Sequence, residues 1–231
     1  MTARTGENPT QARLSDRQLT AFGLPPRAGA ARGRVLVIGC GALAREILAI
    51  VRANGLNHVD VTCLPAILHN RPERIVPALR RALETQRAGY DAVFVAYADC
   101  GTGGALRRFC EDAGIEMIAG PHCYAFYEGN AAFAGRKDEI DAFYLTDFLV
   151  RQFEAFVWKP LGLDRHPELR ESYFGHYRKL VYQAQSDDPA LARMARDHAR
   201  RLGLSYERRL TGYGDLEGTL LRWAERGREP G

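Results

Sequence analysis

The first half of the chain alternates continuous apolar runs with segments of helical periodicity. The run RVLVIGC, at 34–40, is apolar at nearly every position, as expected of a parallel strand that is buried on both faces. We predict strands at 34–40, 59–64, 92–98 and 115–119, and helices at 42–54, 74–87 and 105–113. Strands that alternate with helices of this length predict right-handed crossovers. The pattern therefore indicates an α/β fold with a mainly parallel sheet of Rossmann-like β-α-β units.

The second half is less regular and closes with a further β-α-β unit. We predict strands at 142–145, 181–186 and 205–210, and helices at 147–161, 167–180, 189–202 and 216–226. The change of pattern near residue 145 allows two lobes, although no linker marks it. We expect a flexible N-terminal arm at 1–32, with a short docking helix at 14–22, an α/β lobe at 33–145, and a C-terminal α/β portion at 146–231 packed on it.

Composition narrows the class of protein. The net charge of +4 is mild and the arginines are spread along the chain, so we expect no nucleic-acid partner. No apolar run reaches the roughly 18 residues that a membrane span needs, so we expect a soluble protein with no membrane partner. The N-terminal segment lacks the apolar core of a secretory signal, which predicts a cytoplasmic location. The five cysteines are then expected as thiols, ligands or catalysts rather than as disulfides.

Four of the five cysteines fall where predicted strands end. Cys40 ends the first strand, Cys63 the second, Cys100 follows the third, and Cys123 follows the fourth. His69 lies in the loop after Cys63, and His122 directly precedes Cys123. The carboxyl ends of parallel strands share one edge, where α/β proteins keep their binding crevice. We therefore expect these side chains to meet at that edge.

Two kinds of chemistry suit such a cluster. Thiolates and imidazoles are ligands for zinc or iron, and we predict a metal site formed by Cys40, Cys100 and Cys123 with His69 or His122 as the nitrogen donor. The same groups suit metal-free cysteine catalysis, because helix N-termini directed at this edge lower thiol pKa values. Sulfur atoms about 3.5–4 Å apart around a common centre would indicate the metal site, whereas sulfurs far apart across a cleft would indicate a two-thiol racemase or lyase.

Some cysteines are better explained as packing residues, since a buried cysteine behaves as a small hydrophobe. This holds for Cys110, in the middle of a predicted helix, and for Cys63, within an apolar strand. Cys40, Cys100 and Cys123 are instead flanked by glycine or by polar loop residues.

The stretch VLVIGCGALAREI also fits a dinucleotide-binding glycine pattern, through Gly39, Gly41 and Ala44. That fingerprint requires an acidic residue at the end of the second strand, to hold the ribose hydroxyls. Asp60 comes too early in its strand, which ends in Cys63 and Leu64. We therefore regard NAD(P) as an unlikely cofactor.

Seven segments together resemble the bacterial and archaeal family called domain of unknown function 1638. They are CGALAREI, DVTCLPAILHNRPERI, VAYADCGTGG, GPHCYAFYEGN, FYLTDFLVRQFE, GLDRHPELRESYFGHY and TGYGDLE. The resemblance covers residues 34 to about 222 and places the family's cysteine and histidine elements at Cys40, His69, Cys100 and Cys123. The family's His-x-Cys element is replaced here by adjacent His122 and Cys123. The resemblance implies a role in one-carbon metabolism, with a corrinoid protein or a corrinoid-dependent methyltransferase as partner.

Three functions are open at this point. The first is a metal-dependent transferase or lyase acting on a small-molecule substrate, the second is metal-free cysteine catalysis, and the third is a non-catalytic accessory of a corrinoid methyltransferase. In either enzyme, Cys100 is the expected catalytic residue. Gly101, Gly103 and Gly104 follow it, and their backbone amides are predicted to hold an anion or a cofactor closely.

Overall fold

A computed structural model describes residues 15–26 and 35–226 of the chain. The fold is α/β, with two parallel sheets, as the alternating pattern predicted. The strands are β1 (Val35–Cys40), β2 (Val59–Leu64), β3 (Ala92–Ala96), β4 (Glu116–Met117), β5 (Ala142–Thr146), β6 (Lys179–Ala184) and β7 (Ser205–Leu210). The helices are α1 (Asp16–Ala21), α2 (Ala44–Ala53), α3 (Ile75–Gln86), α4 (Ala105–Asp112), α5 (Cys123–Glu128), α6 (Asn130–Gly135), α7 (Asp147–Arg151), α8 (Leu169–Phe174), α9 (Pro189–Leu202) and α10 (Gly214–Arg226).

The first sheet has four strands in the order β2-β1-β3-β4, and all of its pairings are parallel. Its central strand β1 is buried at every position. This burial explains why the run is continuously apolar instead of alternating. Because every strand points the same way, the carboxyl ends of the four strands lie along one edge.

The second sheet has three strands in the order β5-β6-β7, again parallel. It begins at Ala142, close to the predicted division at residue 145. The last helix, α10, packs back onto the first sheet, where Trp223 stacks on Phe94 with ring centroids 4.8 Å apart. The chain therefore crosses from the second sheet to the first at its C-terminal end.

The described part of the predicted arm packs onto the first sheet. Helix α1 falls within the predicted 14–22, and its Leu19 is fully buried. Leu24 then forms an antiparallel bridge with Cys63 of β2. Gly23 makes this approach possible, because a Cβ atom there would lie 2.0 Å from the carbonyl oxygen of Cys63. Residues 1–14 and 27–32 of the arm lie outside the described residues.

Several predicted boundaries in the second half are wrong. The predicted helix at 147–161 is interrupted, since α7 stops at Arg151 and a π-helical turn follows at Glu154–Trp158. The predicted helix at 167–180 shrinks to α8, because Lys179–Ala184 forms the central strand of the second sheet. There, pairing with two neighbouring strands outweighs the local helical spacing. Helices α5 and α6 were not predicted. Within the described residues, no helix is long and apolar enough to cross a lipid bilayer.

Candidate functional site

The carboxyl ends of the first sheet's strands bring the predicted side chains to one cavity of about 50 Å³. Its lining includes all five proposed metal ligands, namely Cys40, His69, Cys100, His122 and Cys123. Cys40 ends β1, His69 lies in a 3-10 turn after β2, Cys100 follows β3, and Cys123 begins α5. The parallel order of the strands therefore brings together residues that are far apart in sequence.

Cys63 and Cys110 are buried elsewhere and do not line the cavity. Cys63 lies within the sheet, its sulfur close to Gly39 of the neighbouring strand. Cys110 lies on the buried face of α4. Burial raises the pKa of both thiols, to about 11 for Cys110. Both are therefore packing residues, as expected from their positions in the sequence.

The three remaining sulfur atoms form a connected group. The sulfur of Cys123 lies 3.4 Å from that of Cys100, and Cys123 also interacts with the neighbouring Cys40 thiol. Sharing the Cys123 proton lowers the pKa of Cys100 to about 5 and lowers that of Cys40, whereas the pKa of Cys123 is raised well above its ordinary value. The Cys123 thiol has one proton to donate, and charge on Cys100 opposes charge on Cys40, so the group stabilises a thiolate at one of these two positions at a time.

His69 is the imidazole that pairs with this group. It hydrogen-bonds to Cys100, which raises the pKa of His69 and helps to lower that of Cys100. His122 lines the same cavity but stacks on Tyr124, with ring centroids 4.9 Å apart, and burial lowers its pKa. Of the two candidate histidines, His69 has the direct contact with a sulfur atom.

The backbone at Cys100 is strained. Its φ angle is +47°, in the left-handed region, where a residue with a side chain pays a conformational cost. Such residues often occur at functional sites, where the surrounding structure holds them in place. This unusual conformation presents the Cys100 side chain to Cys123 and His69.

The glycine loop after Cys100 binds a carboxylate of the chain itself. The backbone N–H of Gly104 donates a hydrogen bond to the Asp99 carboxylate at 2.8 Å, and the Thr102 hydroxyl donates to the same oxygen at 2.6 Å. At Gly104, the anion bound by the loop is therefore the chain's own Asp99. Gly101, Gly103 and Gly104 all have positive φ angles, and none of them lines the cavity. Their conformation serves the tight turn that positions Cys100.

The second half of the chain closes the cavity, which sequence reasoning missed. Thr146 at the end of β5, Leu149 of α7 and Phe156 of the π-helical turn form part of its wall. These residues carry no local signal of a site, since each is typical of ordinary packing or capping. Tyr97 was also missed. Its hydroxyl is buried near Cys40 without a well-formed hydrogen bond to a described residue, and burial raises its pKa.

The donor atoms are arranged as hydrogen-bonded thiols rather than around a common centre. Over residues 15–26 and 35–226, no group of three or more His, Cys, Asp or Glu side chains forms a ready-made metal site. The donor types nevertheless fit zinc or iron, because three thiols and one imidazole correspond to a common Cys₃His ligand set. A metal replaces the protons of such ligands, so thiol contacts in its absence need not copy the ligated geometry.

Comparison with known proteins identifies the family of the chain. Searches of curated proteins and of solved structures found no significant match. A family model described as "Protein of unknown function (DUF1638)" matches residues 63–220, which include His69, Cys100 and Cys123 and begin after Cys40. This match covers more than half of the chain, and the chain therefore belongs to the DUF1638 family.

Proposed function

We propose that this protein binds a zinc or iron ion through Cys40, Cys100, Cys123 and His69. The observation that carries the proposal is that these four side chains come from the end of β1 and from the segments that follow β2, β3 and β4, and line one small cavity. A volume of about 50 Å³ suits a single ion and one small ligand, since one water needs roughly 10–15 Å³.

The sulfur separation supports a metal more than a two-thiol mechanism. Two thiolates on a tetrahedral ion, with bonds of about 2.3 Å, lie roughly 3.8 Å apart. The sulfurs of Cys100 and Cys123 are 3.4 Å apart, so ligation requires them to separate by only about 0.4 Å. A racemase of the predicted kind needs its two thiols on opposite sides of a substrate, whereas these two touch.

The surroundings of the thiols also favour a cation. Cys40 and Cys100 are 4% and 5% exposed, and the cavity wall is formed largely by apolar and aromatic side chains. Several thiolates in such an environment repel one another and lack solvation, and a bound cation offsets both costs. The residues would hold the ion through sulfur and nitrogen, and the ion would keep the sulfurs deprotonated and act as a Lewis acid toward a further ligand.

Metal analysis of protein purified without a histidine tag tests the proposal. We expect about one zinc or iron per chain, and a large loss of metal in Cys100→Ser and Cys123→Ser. Cys110→Ser is the matched control, because this cysteine is buried like Cys100 but lies in α4, outside the cavity. Sub-stoichiometric metal in both aerobic and anaerobic preparations would contradict the proposal, as would an equal loss of metal in Cys110→Ser.

A metal-free nucleophilic thiol is the second candidate. The hydrogen bond between His69 and Cys100 favours it, because a Cys–His pair stabilises a reactive thiolate. In that case, iodoacetamide would modify Cys100 in protein as purified, and chelators would change neither the rate nor the extent of modification. For a metal site, we expect protection of Cys100 until a chelator removes the ion.

We also propose a role for the site in one-carbon metabolism, with a corrinoid protein or methyltransferase as partner. This part of the proposal rests on the family resemblance, and the cavity supports it only by offering thiolates, which accept methyl groups. Co-purification with a corrinoid methyltransferase from the same genome tests the partnership. Retention of that protein by the intact chain but not by an unrelated α/β protein is the expected result, and equal recovery on both would refute it.

A further inference from the structure

A second cavity, of about 200 Å³, lies apart from the thiol site. It shares no lining residue with the thiol cavity, and it is bounded by α2, the start of α7 and the loop after β6. Its polar lining consists of Arg45, Glu46, Asp147, Arg151, Ser186 and Tyr213, together with Gln185. A cavity of roughly 150 Å³ accommodates benzene, so this one has room for a small organic molecule.

Glu46 is the unusual residue of this cavity. Glu46 is only 5% exposed, and its Oε2 atom accepts no hydrogen bond from any described residue. A buried carboxyl oxygen without a donor is costly, and native structures seldom leave one unless a ligand or water satisfies it. Desolvation raises the pKa of Glu46 to about 7, which reflects the same missing partner.

Asp147, the second acidic residue in the lining, already has hydrogen-bond donors for both of its carboxylate oxygens. The Oδ1 atom of Asp147 accepts hydrogen bonds from the Tyr182 hydroxyl at 2.7 Å and from the Gln185 backbone at 3.1 Å. Its Oδ2 atom accepts one from the Ser186 hydroxyl, also at 2.7 Å. Asp147 is therefore held by the fold itself, and its orientation does not depend on a ligand.

The two arginines are likewise paired. Arg45 and Arg151 both direct their Nε atoms to the carboxylate of Asp16 in α1, at 2.7 and 2.6 Å. Asp16 therefore holds both arginines, and neutral donors satisfy the carboxyl of Asp147. Ionised Glu46 has no donor at Oε2 among the described residues, so a ligand that donates to this oxygen and carries a positive charge would complete the cavity.

We propose that this cavity binds a small organic cation whose N–H groups donate hydrogen bonds to Glu46. Ser186 and Tyr213 also line the cavity, and their hydroxyl groups are further possible acceptors for an ammonium or amidinium group. An anionic ligand would compete with Asp16 for the arginines while leaving Glu46 unpaired. A metal ion would have Glu46 as its single uncommitted carboxylate, whereas hard cations take several oxygen ligands.

Calorimetric titration with benzylammonium at pH 8 tests this proposal, with benzyl alcohol as the neutral probe of nearly the same shape. We expect saturable binding of benzylammonium and binding of benzyl alcohol that is at least about tenfold weaker, a difference of 1.4 kcal/mol or more. Glu46→Gln should weaken benzylammonium binding by a similar factor. Glu84→Gln should leave it unchanged, because Glu84 is exposed on α3 and distant from the lining.

The proposal is overturned if benzylammonium shows no saturable binding at about 10 mM, or if benzyl alcohol binds equally well. It is also overturned if Glu46→Gln, shown to be folded by circular dichroism, binds benzylammonium as tightly as the unaltered protein. The comparison of the two probes needs no variant, so a folding defect in Glu46→Gln cannot mask the answer. Metal content at the thiol site is a separate measurement, and its outcome does not affect this one.

Discussion

Glu46→Gln should stabilise the protein at alkaline pH and do little at acid pH. In the folded chain, burial raises the pKa of Glu46 from 4.5 to about 7. At about 1.4 kcal/mol per pKa unit, this rise corresponds to roughly 3 kcal/mol. This contribution to the free energy of unfolding is fully present below the pKa that Glu46 has in the unfolded chain. It is lost as the pH rises through the pKa of the folded chain, because above that pH the buried carboxyl must ionise. Glutamine has the same shape and never ionises.

The expected difference can be worked out for two convenient conditions. With these pKa values, the easier ionisation of Glu46 in the unfolded chain lowers the free energy of unfolding by about 0.8 kcal/mol at pH 5 and by about 3.3 kcal/mol at pH 8. The stability of Glu46→Gln relative to the unaltered protein should therefore increase by roughly 2.5 kcal/mol between the two pH values. The subtraction removes the titration of distant groups such as His69, which both proteins share.

Urea denaturation at pH 5 and pH 8, followed by circular dichroism, measures this difference. Glu84→Gln makes the same chemical change at an exposed position of α3 and should show no pH-dependent gain. A gain for Glu46→Gln that is equal at both pH values would refute the reasoning. So would a loss of stability at pH 8, since it would show that the ionised carboxylate has a strong partner in the folded protein.

Three further predictions concern the cysteines. After removal of any metal with a chelator, the pH dependence of alkylation should give Cys100 an apparent pKa near 5, and Cys110 should resist alkylation below about pH 11. Mass spectrometry reports the modification of each cysteine, and an apparent pKa near 9 for Cys100 would contradict the hydrogen-bonded group. Because of the φ angle of +47°, Cys100→Gly should be more stable than Cys100→Ala by about 1 kcal/mol in urea denaturation, and the reverse order would show that the backbone is not strained. Cys110→Ser should cost about 1–2 kcal/mol in the same assay, because a hydroxyl is buried in α4, while metal content is retained; unchanged stability would contradict its packing role.

Elements whose sequence pattern reflects burial directly could be predicted well. Helix α9 and strand β7 have the predicted boundaries, and Asp188 caps α9 by accepting hydrogen bonds from two backbone amides. Strand β1 is apolar because it is buried on both faces, so its place at the centre of the first sheet follows from its composition. The shared edge for the cysteines then follows from the parallel order of the strands.

The rest of the site depends on contacts between parts of the chain that are distant in sequence. The choice between His69 and His122 is made by the 3-10 turn at Ala66–Asn70, which local spacing does not predict. Closure of the cavity by Phe156 requires the π-helical turn, where the predicted helix was continuous. The left-handed backbone of Cys100 likewise has no local signature, since cysteine seldom adopts it.

The glycine loop shows what the sequence pattern alone left out. Three glycines after a strand are typical of a backbone cradle for an anion. Here the carboxylate of Asp99, one residue before Cys100, already occupies the Gly104 amide. An acidic residue close before such a loop can therefore accept hydrogen bonds from the loop's own backbone amides, and Asp99 was visible in the sequence.

X-ray absorption spectroscopy of the purified protein tests the central claim most directly, because it reports both the metal and its ligands. We predict a zinc or iron edge with a first shell of three sulfur atoms at about 2.3 Å and one nitrogen at about 2.0–2.1 Å. Cys100→Ser should reduce the sulfur count or abolish the metal signal, and Cys110→Ser should leave the spectrum unchanged. A first shell of oxygen and nitrogen atoms alone, or no stoichiometric metal at all, would contradict the proposed thiolate site.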